Sequence, residues 1–355
     1  MDFLKLQTIL TERKEPAFRQ KQVRNALFVE LIEDWDKATT LSKELREVLK
    51  QVVPISSLEI LSQHRSKRGD TRKVTFLLDD GLIIESVLME HFGDRNTVCV
   101  SSQAGCPMAC AFCATGKLGF KRNLRVDEIV DQVMHFARQL RTEDRRVSNV
   151  VVMGMGEPFH NYDNVLAALR ILNHKDGLNI GARKITISTC GIVPGIERLA
   201  NEPEQFNLAI SLHAPIDSIR SKIMPVNLAY PLNKLMRALR DYIKKTNRKV
   251  FVEYVMLKGV NDSLDLADDL ADLLGKDLFQ VNLIKYHQTG SFAPTEVLER
   301  NAFKERLEEH GIITTHRVTF GEDILAACGQ LAGKEVPKNL EPQNSEGQWL
   351  MENDK

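Results

Sequence analysis

The sequence has no excess of charge of either sign. Its 355 residues include 48 Lys and Arg against 48 Asp and Glu, so the overall charge does not by itself indicate a nucleic-acid-binding protein. The beginning of the chain has no uninterrupted apolar run, because charges recur at Asp2, Lys5 and Glu12, which argues against a signal peptide or membrane span there. With 43% hydrophobic and 27% charged residues, the composition is typical of a soluble globular protein, and we predict a cytoplasmic location without membrane contact.

The chain has few cysteines, and they are unevenly spread. Four of the six lie between residues 99 and 113. Cytoplasmic thiols stay reduced, so we predict that the clustered cysteines are metal ligands or catalysts rather than disulfides. Three of them have the spacing Cys106-x3-Cys110-x2-Cys113, and the loop itself offers no fourth Cys or His. A zinc site needs four ligands, whereas a 4Fe–4S cluster on three thiolates keeps one iron open for a substrate or cofactor. The spacing favours the cluster, with a zinc knuckle completed by a distant residue or free cysteines as the alternatives.

The order of predicted elements places a small accessory region before a larger α/β core. Residues 1–90 are predicted to form helices and then two strands, "RKVTFLL" and "GLIIESVLM", joined by the turn "DDG". Over residues 91–320, six strand-like segments alternate with helices, which indicates a parallel sheet with right-handed crossovers. This pattern does not distinguish an open sheet from a barrel. Residues 321–355 form a C-terminal segment, and from residue 336 it is polar enough to be a disordered tail.

Basic residues are concentrated in three segments despite the neutral balance. These are residues 13–24, 64–73 and 117–125, and the first and third also contain Phe. Basic loops beside aromatic rings can neutralise phosphates and stack bases, so the segments could bind nucleic acid. Solvated surface is the alternative.

Seven motifs, in order along the chain, resemble those of one enzyme family. They are "CVSSQAGC", "FCATGKLGFKRNL", "MGMGEP", "STCGIVPGI", "AISLHAP", "MPVN" and "AACGQLAG". The cysteine spacing is similar to that of radical S-adenosylmethionine enzymes, and the whole set resembles the RlmN/Cfr RNA methyltransferases from about Phe18 to Gly333. The resemblance implies a partial (β/α)6 barrel of the radical S-adenosylmethionine type, with the N-terminal helical and β region as an accessory RNA-binding domain and with a C-terminal extension.

The resemblance also implies the cofactors and their ligands. One 4Fe–4S cluster is held by Cys106, Cys110 and Cys113, its open iron binds S-adenosylmethionine, and two molecules of S-adenosylmethionine are used per turnover. Seven residues match positions that hold this cofactor in the family. They are Gly156, Glu157, Ser188, Ser211, Leu212, His213 and His287. The last stands where the family usually has Asn, and an imidazole can donate to the same ribose hydroxyls.

The remaining assignments that the resemblance implies concern methyl transfer. Cys328 matches the family's methyl-carrying cysteine, and Cys99 matches the partner that resolves the intermediate through a transient disulfide. Glu85 aligns with a family acid that acts as proton acceptor, although its spacing to Cys99 is one residue longer, and a solvent-facing strand glutamate is the alternative. Cys190 matches no catalytic position, and we predict that it is structural.

Substrates and partners likewise follow from the resemblance. The family methylates an adenosine of 23S rRNA in the peptidyl transferase centre, at C2 in the RlmN branch and at C8 in the Cfr branch, and many RlmN enzymes also modify the adenosine 3′ to the anticodon of tRNA. "MGMGEP" and "AISLHAP" are closer to the RlmN branch, so we predict C2 methylation by a monomer that takes electrons from a donor such as flavodoxin or ferredoxin. Cfr-type C8 methylation, which confers antibiotic resistance, is the nearer alternative. A zinc-containing RNA-binding protein without catalysis is the alternative from another class.

Overall fold

The computed structural model of the chain describes residues 1–333, so the predicted polar tail from residue 336 lies outside the described residues. Three helices come first: α1 (Phe3–Glu12), α2 (Ala17–Phe28) and α3 (Lys43–Val52). The last of them begins at a capping serine, since the Ser42 side chain accepts a hydrogen bond from the otherwise unpaired N–H of Leu45. Among the residues described, no helix combines the length and the apolar character that a membrane crossing requires.

Strands and helices fill the rest of the chain. The strands are β1 (Glu59–Arg65), β2 (Thr71–Leu77), β3 (Ile83–Glu90), β4 (Asn96–Cys99), β5 (Gln103–Gly105), β6 (Phe120–Asn123), β7 (Asn149–Val152), β8 (Ile185–Thr189), β9 (Asn207–Ser211), β10 (Val250–Met256), β11 (Phe279–Lys285) and β12 (Thr314–His316). The helices are α4 (Val126–Thr142), α5 (Tyr162–Asn173), α6 (Val193–Leu199), α7 (Asp217–Ile223), α8 (Leu232–Thr246), α9 (Leu264–Leu274) and α10 (Val297–Glu309).

Ten of these strands form one continuous sheet in the order β1-β2-β3-β4-β7-β8-β9-β10-β11-β12. From β4 to β12 in this order, β4–β7 and each later pair of neighbouring strands are parallel, and helices connect successive strands, which confirms the predicted α/β class. Six of the parallel strands correspond to the six predicted segments. The seventh, β12, was not predicted, because three residues are too few to show a periodic pattern.

The accessory strands β1 to β3 are antiparallel and belong to the same sheet. β3 pairs with β4, so that Val87 lies opposite Cys99. β2 and β3 are the two strands predicted in this region, whereas β1 was missed because its residues are mostly exposed at the sheet edge and do not alternate. The predicted division of the chain at residues 90 and 320 stays a prediction, and the hydrogen-bonded sheet continues across the first of these positions.

The core lies between the sheet and the helices, and it fixes the loops beyond the carboxyl ends of the parallel strands. Apolar side chains of α4 are buried along most of its length: Ile129, Val130, Val133, Phe136 and Leu140. A ribbon of β5 and β6 closes the base of the loop that carries the clustered cysteines. Gly105 in this ribbon has a φ of +73°, and a Cβ atom there would lie 1.9 Å from the carbonyl oxygen of Gly119, so only glycine fits.

Candidate active site

The three clustered cysteines line one cavity beyond the carboxyl ends of the parallel strands. We call it the cluster cavity, and its volume is about 160 Å³. Most of the residues predicted for the cluster and the cofactor line it together with Cys328: Cys106, Cys110, Cys113, Gly156, Glu157, Ser188, Ser211 and His213. Leu212 and His287 are the two predicted cofactor residues that do not line it. Residues from five separate segments of the chain therefore meet at one place.

The three thiols fit an iron–sulfur cluster better than a single ion. Within residues 1–333, no group of three or more His, Cys, Asp or Glu side chains converges closely enough to hold one metal ion. Thiolates that bind separate corners of a cluster lie further apart than thiolates that share one ion. Burial raises the pKa of Cys106 to about 12 and that of Cys110 well above its usual range. Deprotonated cysteines in this cavity therefore need a strong positive charge beside them, which cluster iron provides.

Hydrogen bonds from three other parts of the chain hold the cysteine loop in place. Cys106 donates its backbone N–H to the carbonyl of Gly119 at 3.1 Å, and Ala111 donates to the carbonyl of Ile223 at 2.9 Å. The Thr289 hydroxyl donates to the carbonyl of Phe112 at 2.6 Å. The loop is thus positioned by the protein itself.

Gly156 and Glu157 form one wall of the cluster cavity. Gly156 has a φ of +104°, and a Cβ atom there would lie 2.6 Å from the Cβ atom of Gln103, so glycine is required for this close approach. The Glu157 carboxylate accepts hydrogen bonds from the backbone N–H groups of Phe159 at 2.9 Å and Cys190 at 2.8 Å. A carboxylate has about four acceptor positions, so Glu157 retains the capacity to bind an ammonium group of a ligand.

His213 also lines the cluster cavity, as a neutral imidazole. Its Nδ1 atom accepts from the backbone N–H of Val255 at 3.0 Å, which assigns the proton of the neutral ring to Nε2. The ring meets Phe112 edge to face, with 4.7 Å between ring centroids. Burial lowers the pKa of His213 to about 3, so the ring stays uncharged throughout the physiological range.

A second cavity joins the two cysteines assigned to methyl transfer. We call it the cysteine-pair cavity; its volume is about 90 Å³, and Cys99 and Cys328 both line it. Cys99 is buried, whereas Cys328 is exposed. Burial raises the pKa of Cys99 to about 12, with a smaller contribution from Cys328, while the positive charge of Arg317 opposes the increase. Cys328 also lines the cluster cavity, so this residue lies where the two cavities meet.

His287, predicted to contact the cofactor, and Glu85, predicted to be a proton acceptor, do not line the cluster cavity. His287 lines the cysteine-pair cavity, and its Nδ1 atom is 3.2 Å from Oε1 of Glu322. Glu85 lines neither cavity. Its side chain is 1% exposed and forms an ion pair with Lys73, with 2.9 Å between Oε1 and Nζ, so it is not a solvent-facing glutamate. Its predicted role as proton acceptor stays a prediction.

Two arginines complete the site, one buried and one half-buried, and the sequence analysis missed both. Arg220 is fully buried and donates to the carbonyl groups of Leu212 at 3.0 Å and Cys190 at 2.7 Å. Arg317 donates to Oε2 of Glu253 at 2.9 Å, and it lines both cavities. Neither arginine lies in one of the seven motifs described in the sequence analysis. An isolated arginine in a polar sequence is most often exposed, so no local signal could have identified them.

Comparison with known proteins agrees with this geometry. Residues 100–270 match the model of the radical SAM superfamily. The chain is 47% identical over 329 residues to the probable dual-specificity RNA methyltransferase RlmN of Geobacillus thermodenitrificans, which covers 92% of this chain and 90% of that protein. It is 47% identical to the protein of the same name from Chloroflexus aurantiacus, with 95% of this chain and 93% of that protein covered. The crystal structure of a radical SAM methyltransferase from Sphaerobacter thermophilus superposes with a TM-score of 0.91 at 43% identity, covering 94% of this chain and 98% of that one.

Proposed function

Because the chain belongs to the radical S-adenosylmethionine superfamily and, within it, to the RlmN RNA methyltransferases, we propose that it methylates C2 of adenosine in RNA. The proposed substrates are the adenosine of 23S rRNA in the peptidyl transferase centre and the adenosine 3′ to the anticodon of tRNA, in keeping with the dual-specificity names of the relatives. The observation that carries the proposal is the position of Cys328, which lines both the cluster cavity and the cysteine-pair cavity.

The chemistry of the base explains why one cysteine must reach both cavities. An adenine C2 carbon has no lone pair with which to attack a methylsulfonium, so direct transfer is blocked, and a covalent route is needed. In the cluster cavity, the Cys328 sulfur can accept a methyl group from S-adenosylmethionine. In the cysteine-pair cavity, the same sulfur can be attacked by Cys99. Cys328 therefore carries the carbon from the cofactor to the RNA.

The residues of the cluster cavity prepare the transfer. We propose that Cys106, Cys110 and Cys113 hold a 4Fe–4S cluster. When bound, the cluster would supply the electron that cleaves a second S-adenosylmethionine, and the resulting carbon radical could take a hydrogen atom from the methyl group on Cys328. The proposed cofactor contacts are Gly156, Glu157, Ser188, Ser211, Leu212, His213 and His287. Glu157 accepts from the ammonium group, and His213 donates from Nε2. An external donor such as flavodoxin or ferredoxin supplies the electron.

Release of the product uses Cys99. Once the carbon on Cys328 has bonded to adenine C2, the adduct radical must lose one electron, for which the oxidised cluster would be the acceptor, and the C2 proton passes to Cys99 or Glu85. Cys99, as its thiolate, then attacks the sulfur of Cys328. The new sulfur–sulfur bond forms as the carbon–sulfur bond breaks, and the carbon takes up a proton to become the methyl group. The enzyme is left with a disulfide between Cys99 and Cys328, which an external thiol must reduce before the next turnover.

We further propose that the accessory region contacts RNA through the turn between β1 and β2. Arg65, Lys67 and Arg68 are exposed at this turn. The backbone N–H of Lys67 donates to the side chain of Asp323 at 2.8 Å, so the turn lies beside the segment that leads to Cys328. Positive charge at this position can bind the backbone phosphates of an RNA whose adenosine enters the site.

Arg72 differs from the other basic residues of the same segment. Its side chain is 14% exposed and pairs with Glu90 at 2.8 Å and Glu143 at 2.7 Å, so it stabilises the accessory sheet. A test of RNA binding should therefore change only Arg65, Lys67 and Arg68 to Gln. We expect weaker RNA binding. The slope of the logarithm of the binding constant against the logarithm of salt concentration should fall in magnitude by roughly two to three, about one for each lost phosphate contact. The control changes the exposed, acid-paired Arg240, Lys304 and Arg306 to Gln. Equal affinities for the two variants would refute the contact.

The activity itself is tested with RNA from cells with and without the gene. We expect 2-methyladenosine in digests of 23S rRNA and tRNA from cells that contain the protein and its loss from the deletion strain, measured by mass spectrometry against synthetic 2-methyladenosine and 8-methyladenosine. Appearance of 8-methyladenosine instead would establish the Cfr-type reaction and refute the C2 assignment. Unchanged RNA in both strains would refute methylation altogether.

A further inference from the structure

The loop that carries Cys328 is held from two opposite sides. We call residues 325–333 the Cys328 loop. Its first residue, Leu325, has a φ of +54°, a left-handed conformation that a non-glycine residue adopts only when its surroundings impose it. The contacts that hold the loop come from the accessory sheet and from the cysteine loop.

On the accessory side, two buried charges hold both ends of the Cys328 loop. Lys73 of β2 donates from Nζ to the carbonyl of Leu325, at 3.3 Å. Glu85 of β3 accepts from the backbone N–H groups of Ala332 at 2.8 Å and Gly333 at 3.1 Å. Lys73 and Glu85 also pair with each other at 2.9 Å, and their side chains are 2% and 1% exposed. One ion pair therefore contacts the residues before and after Cys328.

On the cysteine-loop side, the residues just after Cys113 contact the middle of the Cys328 loop. The backbone N–H of Ala114 donates to the carbonyl of Gly329 at 2.8 Å. The Thr115 hydroxyl donates to the carbonyl of Leu331 at 2.6 Å. These bonds bring the loop against the cluster cavity, while the Lys73–Glu85 pair keeps it against the accessory sheet.

An ion pair this deeply buried needs a reason other than stability. Removing two charges from water costs several kcal/mol per ion, so an apolar pair of similar volume is often equally or more stabilising in such a place. What an apolar pair cannot do is bond to the carbonyl of Leu325 and to the N–H groups of Ala332 and Gly333. The specific consequence of Lys73 and Glu85 is thus the path of the loop.

We propose that Lys73 and Glu85 are positioning residues that keep Cys328 at the junction of the cluster cavity and the cysteine-pair cavity. Neither lines a cavity, so both act through the loop. The inference rests on the proposed function in one respect: that function makes Cys328 the residue whose position matters. It assigns to Lys73 a role that no motif indicated, and to Glu85 a role in addition to its predicted one.

The test replaces the ion pair with apolar residues in the holoenzyme, as Lys73→Met/Glu85→Leu. We expect amide hydrogen exchange in residues 325–333 to accelerate at least about tenfold, because the anchoring bonds are lost while the fold remains. Iron content should be retained. Methylation of Cys328, followed by peptide mass after addition of S-adenosylmethionine and reductant, should slow at least about tenfold with little change in the concentration of S-adenosylmethionine required.

Three further variants make the result specific. Lys304→Met/Glu308→Leu removes an exposed Lys–Glu pair of α10 and should change neither readout. Thr115→Val removes one bond from the opposite side without touching a charge, so it should also accelerate exchange and keeps the test valid if the double variant does not fold. Lys73→Arg should preserve both readouts. Unchanged exchange and methylation in Lys73→Met/Glu85→Leu would overturn the proposal. If exchange accelerated in Lys73→Met/Glu85→Leu but Cys328 carried no methyl group even in the protein without substitutions, the result would support the positioning role and refute the proposed function.

Discussion

Replacing Arg220 with Met should disrupt the cofactor site from within the fold. The guanidinium of Arg220 donates to the carbonyl groups of Leu212 at 3.0 Å, Cys190 at 2.7 Å and Ser211 at 3.3 Å. It also donates to the side chain of Asn227 at 2.8 Å. The three carbonyls lie at the end of β9 and in the loops that follow β8 and β9, and residues of both segments line the cluster cavity. One side chain therefore fixes the spacing of two walls.

The cost follows from the number of acceptors that lose their donor. A buried carbonyl left without a partner costs about 1 to 3 kcal/mol, and three of them cost roughly 3 to 5 kcal/mol once water has partly replaced the guanidinium. We expect a lower midpoint of chemical unfolding and, in equilibrium dialysis, at least about a tenfold loss of S-adenosylmethionine affinity, since small displacements of positioned groups are expensive.

Arg240→Met is the matched control for this prediction. Arg240 is exposed and pairs with Asp277 at 2.8 Å, so its loss should change the free energy of unfolding by no more than about 0.5 kcal/mol. If Arg220→Met and Arg240→Met gave the same midpoint and the same affinity, the argument that a buried arginine sets the cavity walls would be wrong.

Three other predictions follow from the two cavities. Anaerobically purified protein should be brown, with about four iron per chain, and changing Cys106, Cys110 and Cys113 to Ala should remove iron and activity; stoichiometric zinc instead of iron would contradict the cluster. Cys99→Ala should accumulate protein covalently joined to RNA, because the carbon–sulfur bond can form but not break, whereas Cys328→Ala should give neither adduct nor product; full methylation by Cys328→Ala would disprove the covalent route. Because burial raises the pKa of Cys99 to about 12, its thiolate fraction at neutral pH is small and increases with pH. The rate of alkylation of Cys99 should therefore increase about tenfold per pH unit between about pH 7 and 9. A rate that reached a plateau below pH 9 would show that the pKa is lower.

Much of the architecture could be predicted from the sequence because the six predicted core strands contain no exposed residue. The six predicted core strands are apolar runs bounded by turn residues, and this pattern survives without any knowledge of contacts. β1 and β12 lack the pattern, one because it is an exposed edge and the other because it is three residues long. Their existence depends on pairing with neighbours, which a local window does not contain.

The residues of the site, like the strands, could be predicted only where the sequence itself carries a local pattern. The cysteine spacing and the motifs that follow the strands located most of the cluster cavity, since these residues are required by the chemistry and recur together. Arg220 and Lys73 could not be predicted, because a buried charge is recognised only from the partners that surround it. Glu85 was found by alignment, but neither of the two roles weighed for it from the sequence included its contact with Ala332 and Gly333.

The pairing of β3 with β4 limits how this protein can be divided. A fragment that began at residue 91 would keep the clustered cysteines but would leave the backbone N–H and C=O groups on one side of β4 without partners. The uncovered edge of a strand that is normally buried is a template for the same strand in another molecule, so such a fragment should self-associate rather than behave as an isolated enzyme core. The accessory strands thus also prevent separate copies of the chain from pairing their sheets at β4. If the accessory region were grafted onto a homologous core, the Val87–Cys99 register would have to be preserved as well as the exposed surface of the accessory region.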